Sequence, residues 1–159
     1  MLTLEKFKQA SEIVKEVTLP TKLVYSEYLS NQTGAEVYLK PENMQYTGAY
    51  KVRGGYTFVH PFDDLDVATG QGSIAMEIFD ELPDVDYILA PIGGGGLIAG
   101  VSTLTKLLNP NVKVIGVEPA AAASMTEALK ERHPVTLSSA NTIADGTAVK
   151  RVGEKIFPY

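Results

Sequence analysis

Apolar residues along the chain follow two different spacings. Helical spacing, with apolar residues three or four positions apart, predicts four helices, over residues 4–17, 67–79, 97–108 and 121–131. Thr3 precedes the first helix and is a suitable N-cap, and Pro83 follows the second and ends it.

Short continuous apolar runs lie among these helices. Such runs are typical of strands, and they predict four, over residues 36–39, 57–59, 87–90 and 112–117. The last of them is apolar enough to lie inside a parallel sheet. Strands that alternate with helices along the chain indicate an α/β fold.

Four consecutive glycines, Gly93, Gly94, Gly95 and Gly96, lie between a predicted strand and the helix that begins at Leu97. Without Cβ atoms the backbone can turn its N–H groups inward, and the N-terminus of the following helix attracts an anion. A turn alone is the alternative, but it needs only one glycine with a positive φ. We therefore predict that this loop binds a phosphate group.

The composition is that of a globular domain, with 45% hydrophobic and 21% charged residues in 159. The formal net charge of −5 and the scattered basic residues argue against a nucleic-acid partner. The absence of cysteine excludes disulfides and thiolate metal sites, and no apolar run is long enough to span a bilayer. We expect a cytoplasmic protein with no membrane partner.

Lys51 lies between an aromatic residue and two glycines, in the segment GAYKVRGG of residues 48–55. Burial among apolar neighbours lowers the pKa of an amine and makes it a usable nucleophile and base. The alternative is a solvated lysine at the start of a helix, and the residue type alone favours that alternative.

Together the two segments resemble a known family. Residues 39–54, LKPENMQYTGAYKVRG, are similar to the cofactor-lysine segment of the fold-type II, or tryptophan synthase β-like, pyridoxal-phosphate enzymes. Residues 91–100, PIGGGGLIAG, resemble the phosphate loop of that family, and residues 117–119 and 142–146 also resemble it. Within the family the resemblance is to the threonine dehydratases, also called threonine ammonia-lyases.

The resemblance implies an open, mostly parallel sheet with helices on both faces, and pyridoxal 5′-phosphate as cofactor. It makes Lys51 the catalytic lysine that carries the cofactor, and residues 93–96 with the Leu97 N–H the phosphate cradle. Tyr50 is implied to lie against the pyridine ring, where the family more often has Phe. The implied reaction is β-elimination of L-threonine or L-serine to 2-oxobutanoate or pyruvate and ammonia, in a homo-oligomer.

The chain departs from the family between Tyr56 and Thr57, where the family carries a small substrate-binding domain. We interpret residues 1–159 as one large cofactor-binding domain that is discontinuous, with parts 1–56 and 57–159, and inactive alone. A segment missing there predicts neighbouring Cα atoms much farther apart than ~3.8 Å. A real internal deletion is the alternative.

The remaining candidates are assigned structural roles. Glu118 matches a position that helps to bind a cation in the serine racemases, but Ser124, six residues on, is not a carboxylate, so a structural cap is predicted. His60 and His133 lack partners at metal-site spacing. Asp63-Asp64 resembles a pair of carboxylates, but it is expected to cap the helix that follows. We predict no metal site.

Two classes of function remain open. The first is a pyridoxal-phosphate lyase acting on hydroxy-amino acids, with a serine racemase or another β-eliminating enzyme of the family as its alternative. The second is a non-catalytic phosphate-binding fragment. An intact mass well above 17.1 kDa would favour the first class.

Overall fold

The computed structural model describes residues 1–55 and 63–159, and its first element is helix α1 (Leu4–Lys15). Thr3 is the N-cap, because its hydroxyl oxygen accepts the Lys6 N–H at 3.4 Å. The apolar stripe of α1 buries Phe7 and Val14. The helix predicted over residues 4–17 is confirmed, with an end two residues earlier.

An antiparallel ribbon follows, formed by β1 (Val24–Tyr25) and β2 (Tyr38–Leu39). Helix α2 (Glu27–Thr33) connects the two strands and ends at Gly34, which has a left-handed conformation. Of these three elements the sequence predicted only β2, as the end of a strand over residues 36–39, whereas α2 is too polar to give a periodic signal.

A parallel strand pair forms the centre of the second half. Strands β3 (Tyr87–Pro91) and β4 (Lys113–Val117) pair in register from Tyr87 opposite Lys113, and helix α5 (Gly96–Leu108) connects them. The predicted α/β class is confirmed by this parallel β–α–β unit.

Helices α3 (Val52–Gly55) and α4 (Leu65–Glu81) lie between the ribbon and β3 in sequence. The helix cap predicted at Asp63-Asp64 is supplied by Asp64, whose carboxylate accepts the N–H groups of Asp66 and Val67. The remaining regular elements are three short 3-10 turns, Glu42–Met44, Ala120–Ala122 and Asp145–Thr147, and helix α6 (Ser124–Glu131).

The helix predicted over residues 121–131 is confirmed for residues 124–131, but the α-helix starts three residues later than predicted. A 3-10 turn comes first, and α6 begins only at Ser124. The Glu118 carboxylate accepts the N–H groups of Met125 and Thr126 at 2.8 and 2.9 Å, which fixes the start of the helix there. The predicted capping role of Glu118 is confirmed.

The main core lies where α1, α4 and α5 meet one face of the parallel strands. Its fully buried residues include Phe7, Ala68, Ala75 and Leu104. A smaller cluster, with Ile92 and Met125 at its centre, lies beneath the glycine loop.

The opposite face of β3 and β4 is exposed in the described chain. Four apolar side chains on it are 43–65% exposed: Tyr87, Leu89, Ile115 and Val117. Parallel sheets are normally covered on both faces, and helices cover only one face among the described residues.

Several predictions fall on residues 56–62, outside the described part of the chain. They are the strand over residues 57–59, the role of His60 and the Cα spacing at the proposed junction. A membrane-spanning helix is not found in the part of the chain that the structure describes, where every helix is too short or too polar for that role.

Candidate functional site

The glycine loop has a run of backbone donors without partners. None of the N–H groups of residues 93–98 hydrogen-bonds to another residue that the structure describes, and donation within α5 begins with Ala99 N–H to Gly95 O at 2.9 Å. These N–H groups lie at the positive N-terminus of a 13-residue helix. Several unpaired donors beside a helix N-terminus form an anion-binding site.

The loop has no space for side chains on the face that packs against the C-terminal segment. Gly95 has a φ of +101°, and a Cβ there would lie 3.0 Å from Ile156 and 3.2 Å from Met125. A Cβ on Gly93 would lie 3.3 Å from Val149. The Gly153 N–H donates to Gly94 O at 3.0 Å and holds the loop against this segment.

Lys51 lies in a tight turn at the start of α3. The Arg53 N–H donates to Tyr50 O at 3.0 Å, and the Gly54 N–H donates to Lys51 O at 3.2 Å. The Lys51 side chain is exposed, so the expected burial among apolar neighbours is not found. The reason is that Tyr50, directly before it, and Arg53, two residues after it, turn inward, while Lys51 points outward.

Tyr50 is one of these inward-turning residues. It is half-buried and packs against the main core cluster, to which Leu97 of the glycine loop also packs. Burial raises the pKa of the Tyr50 hydroxyl, so it remains neutral at physiological pH.

Arg53 is the other inward-turning residue, and its side chain is 0% exposed. Its guanidinium binds the Glu42 carboxylate through Nε and Nη2 at 2.7 and 2.8 Å. It binds the Glu77 carboxylate through Nη1 and Nη2 at 2.6 and 3.0 Å, and Nη1 also donates to Ser73 Oγ at 3.2 Å. All five N–H donors of the guanidinium therefore have partners.

A second cation extends this cluster. Lys40, which follows β2 and has a 9% exposed side chain, pairs with Glu77 at 2.6 Å and donates to Thr21 O. Glu42 also accepts the Thr21 hydroxyl at 2.6 Å. The charged cluster therefore ties the segment before Lys51 to helix α4.

The charges of this cluster stabilise each other. Burial alone would raise the pKa of the Glu42 carboxyl, but hydrogen bonds from Arg53 and Thr21 and the charge of Arg53 hold that pKa below its usual value. Burial would lower the pKa of Arg53, and the two glutamates outweigh it and raise that pKa. Both groups are ionised at neutral pH.

Helix α4 joins the lysine segment to the glycine loop. On one side, Cβ atoms on Gly54 and Gly70 would collide with Gln71 and with the Arg53 carbonyl respectively. On the other side, a Cβ on Gly100 of α5 would collide with the Ala68 carbonyl. These glycines let α3 and α5 approach the backbone of α4 closely, so both predicted parts of the site are fixed to one helix.

Sequence reasoning missed the side chains that hold Lys51 in place. Arg53 and Glu42 lie within the segment that carried the family resemblance, but neither received a role. A signal was present, since charged residues alternate there with Tyr, Pro and Gly over residues 40–54. The pairing of Arg53 with Glu77, 24 residues later in the chain, cannot be derived from spacing.

A family described as pyridoxal-phosphate dependent enzymes matches residues 53–159 of the chain. The L-threonine ammonia-lyase of Thermotoga maritima is 32% identical over 241 aligned positions, covering 99% of this chain and 60% of that protein. The L-threonine ammonia-lyase of Geobacter sulfurreducens is 45% identical over 147 positions, covering 90% of this chain and 36% of that protein.

Solved structures of other proteins share the fold of this chain. The processed form of threonine deaminase isoform 2 from Solanum lycopersicum superposes with a TM-score of 0.89 at 28% identity, over 98% of this chain and 71% of that one. Maize serine racemase, at 20% identity, shares the fold with a TM-score of 0.92, over 97% of this chain and 73% of that one.

The chain spans 60% or less of the length of these two curated relatives. In the Thermotoga alignment, 99% of the 159 residues is about 157, so about 84 of the 241 aligned positions have no counterpart in this chain.

Proposed function

The chain belongs to the family of pyridoxal-phosphate dependent enzymes, and on that premise we propose that it is the cofactor-binding domain of a threonine ammonia-lyase. The reaction is the conversion of L-threonine to 2-oxobutanoate and ammonia, and of L-serine to pyruvate and ammonia. The observation that carries the proposal is the loop of unpaired N–H groups, fixed to the same helix as the turn that presents Lys51. The names of the relatives support the choice of substrate.

The residues present fit the cofactor. Its phosphate would be held by the N–H groups of residues 93–97 at the N-terminus of α5, where Cβ atoms on Gly93 and Gly95 would crowd the loop. Its aldehyde would be held by the exposed amine of Lys51. Tyr50 would lie against the ring.

Bound pyridoxal phosphate supplies a sink for the electrons released when the Cα–H bond of the amino acid breaks. The protein supplies position and proton transfer. The turn at Lys51 is held by two backbone hydrogen bonds, one of them to Lys51 O, while the Lys51 side chain is exposed. This arrangement suits an amine that would first hold the cofactor and then take the Cα proton. The N–H groups of the glycine loop would keep the phosphate fixed during these steps.

We propose further that residues 1–56 and 57–159 form one discontinuous domain, with a small substrate domain between them in the full-length protein. About 84 aligned positions of the Thermotoga relative without a counterpart support this, and so does the uncovered apolar face of the parallel strands. The 159-residue chain alone would then be inactive. We expect the full-length protein to be a cytoplasmic homo-oligomer.

The proposal is tested by incubating the full-length protein, loaded with pyridoxal phosphate, with L-threonine and measuring 2-oxobutanoate and ammonia in equal amounts. Formation of both products, with loss of both in Lys51→Ala, is the expected result. Cofactor binding without either product would contradict the lyase.

A serine racemase is the second candidate, since the fold of the maize enzyme is shared. It is distinguished in the same assay by supplying L-serine and measuring D-serine. Formation of D-serine faster than pyruvate would favour the racemase, and failure to bind pyridoxal phosphate at all would favour a non-catalytic fragment. Intact mass, compared with 17.1 kDa, tests the missing domain.

A further inference from the structure

The Arg53 cluster is an unusual way to stabilise a fold. A buried guanidinium and two partly buried carboxylates lose part of their hydration, and well-packed apolar side chains of similar size often give equal or greater stability. The charged cluster also fixes the orientation of the Arg53 side chain. A planar guanidinium with two bidentate partners has one orientation, whereas an apolar side chain of similar length can repack in several.

Because its side chain is fixed, Arg53 also holds the backbone two residues after Lys51. The Arg53 N–H closes the turn onto Tyr50 O, so the residues on both sides of Lys51 are held. The carboxylates come from two different elements, Glu42 from the segment after β2 and Glu77 from α4. A displacement of either element would therefore move Arg53, and with it the turn that carries Lys51.

The other side of the site does not depend on this cluster. The glycine loop is held by Gly153, Ile156 and Met125, and none of these contacts Arg53 through a hydrogen bond or ion pair in the described residues. The phosphate site and the lysine site are thus supported separately, although both rest on α4.

We propose that Arg53 is a positioning residue, and that its paired hydrogen bonds to Glu42 and Glu77 aim the Lys51 amine at the cofactor aldehyde. This inference rests on the proposed role of Lys51 in cofactor attachment. It assigns to Arg53 no contact with substrate or cofactor, only the placement of the residue that makes one.

Two cofactor forms separate positioning from general support of the fold. Pyridoxal phosphate can bond covalently to Lys51, whereas pyridoxamine phosphate has no aldehyde and reports only the phosphate loop and ring contacts. Binding of each form is measured in the full-length protein for the wild type and Arg53→Lys, with borohydride reduction and peptide mass analysis to quantify attachment at Lys51. Arg53→Lys keeps the charge but cannot make two bidentate contacts.

We expect Arg53→Lys to reduce the attachment of pyridoxal phosphate to Lys51 at least tenfold while the affinity for pyridoxamine phosphate changes less than twofold. Arg151→Lys is the matched control, because Arg151 also pairs with a glutamate, Glu154, but is 43% exposed, and it should change neither quantity. Should Arg53→Lys fail to fold, Glu77→Gln, which leaves the Glu42 pair in place, carries the same comparison.

Equal loss of both cofactor forms would show that Arg53 only supports the fold, and no loss of attachment would show that it does not aim Lys51. Either result overturns the inference while leaving the proposed function intact. Wild-type protein that binds both forms without attachment at Lys51 would instead overturn the proposed role of Lys51 itself.

Discussion

The two parts of the candidate site are built in opposite ways. The segment around Lys51 is fixed by charged side chains, with Arg53 bound to Glu42 of the same segment and to Glu77 of α4. The glycine loop has no side chains of its own, and neighbouring residues such as Ile156 fill the space that Cβ atoms would need. A residue that must present an amine in one direction needs anchors, whereas a residue that binds through its backbone needs the absence of obstruction.

This difference predicts different sensitivities. The lysine segment should respond to changes of charge and pH, and the loop to added carbon atoms. Helix α4 packs against both α3 and α5, so substitutions in its contacts should affect both parts of the site.

The largest effect is expected for Lys51→Ala in the full-length protein. Loss of the amine should abolish both turnover and the visible absorption of attached pyridoxal phosphate, because no other residue in the turn can bond to the aldehyde. Binding of pyridoxamine phosphate should remain, since the loop is untouched. Absorption spectra and a titration measure both, and retained turnover in this variant would contradict the assignment.

Gly100→Ala should have the next largest effect, because its Cβ would collide with the Ala68 carbonyl and push α5 from α4. We expect a loss of about 3 kcal/mol in the free energy of unfolding, measured by urea denaturation. Gly146→Ala is the control, since a Cβ there meets nothing within 4 Å. Equal stability of the two variants would show that α4 and α5 do not need this close contact.

Gly95→Ala should weaken phosphate binding by the glycine loop and should also lower the free energy of unfolding. The positive φ is strained for alanine and the Cβ would press on Ile156, which we expect to cost about 2 kcal/mol. Gly34→Ala separates the two causes, since Gly34 has a φ of +72° with open space around it. Affinity for pyridoxamine phosphate should fall in Gly95→Ala alone, and an unchanged affinity would mean that the glycines serve only the turn.

The smallest effect concerns pH. Because the pKa of Glu42 is held below its ordinary value of 4.5, its ionised form stabilises the fold. This contribution is complete above about pH 4.5 and is lost as pH falls through the lowered value. Glu42→Gln should therefore lose stability less steeply than the wild type below pH 4.5, by at most ~1.4 kcal/mol per pH unit. Parallel pH profiles of unfolding would contradict the role of this ion pair.

Sequence patterns predicted the elements whose apolar faces are long enough to repeat. Helices α1, α4 and α5 and the parallel strands followed from spacing alone, because each helix buries an apolar stripe and each strand is a short apolar run in the sequence. The start of α6 did not, because it depends on the Glu118 carboxylate, which is six residues earlier in the chain.

For the site, local features were predictable and distant pairings were not. Four glycines before a helix are a local signal, and phosphate binding by the loop was predicted from them. The exposure of Lys51 depends on where Tyr50 and Arg53 turn, which is decided by the core and by Glu77 of α4. Long-range ion pairs of this kind leave no periodic trace in a single sequence.

The most direct test of the account is to find which lysine holds the cofactor. The full-length protein is loaded with pyridoxal phosphate, reduced with borohydride, digested and analysed by mass spectrometry. The account predicts the label on Lys51 alone, with inorganic phosphate competing for loading through the glycine loop. A label on another lysine, or a bound cofactor that leaves Lys51 unmodified, would contradict it.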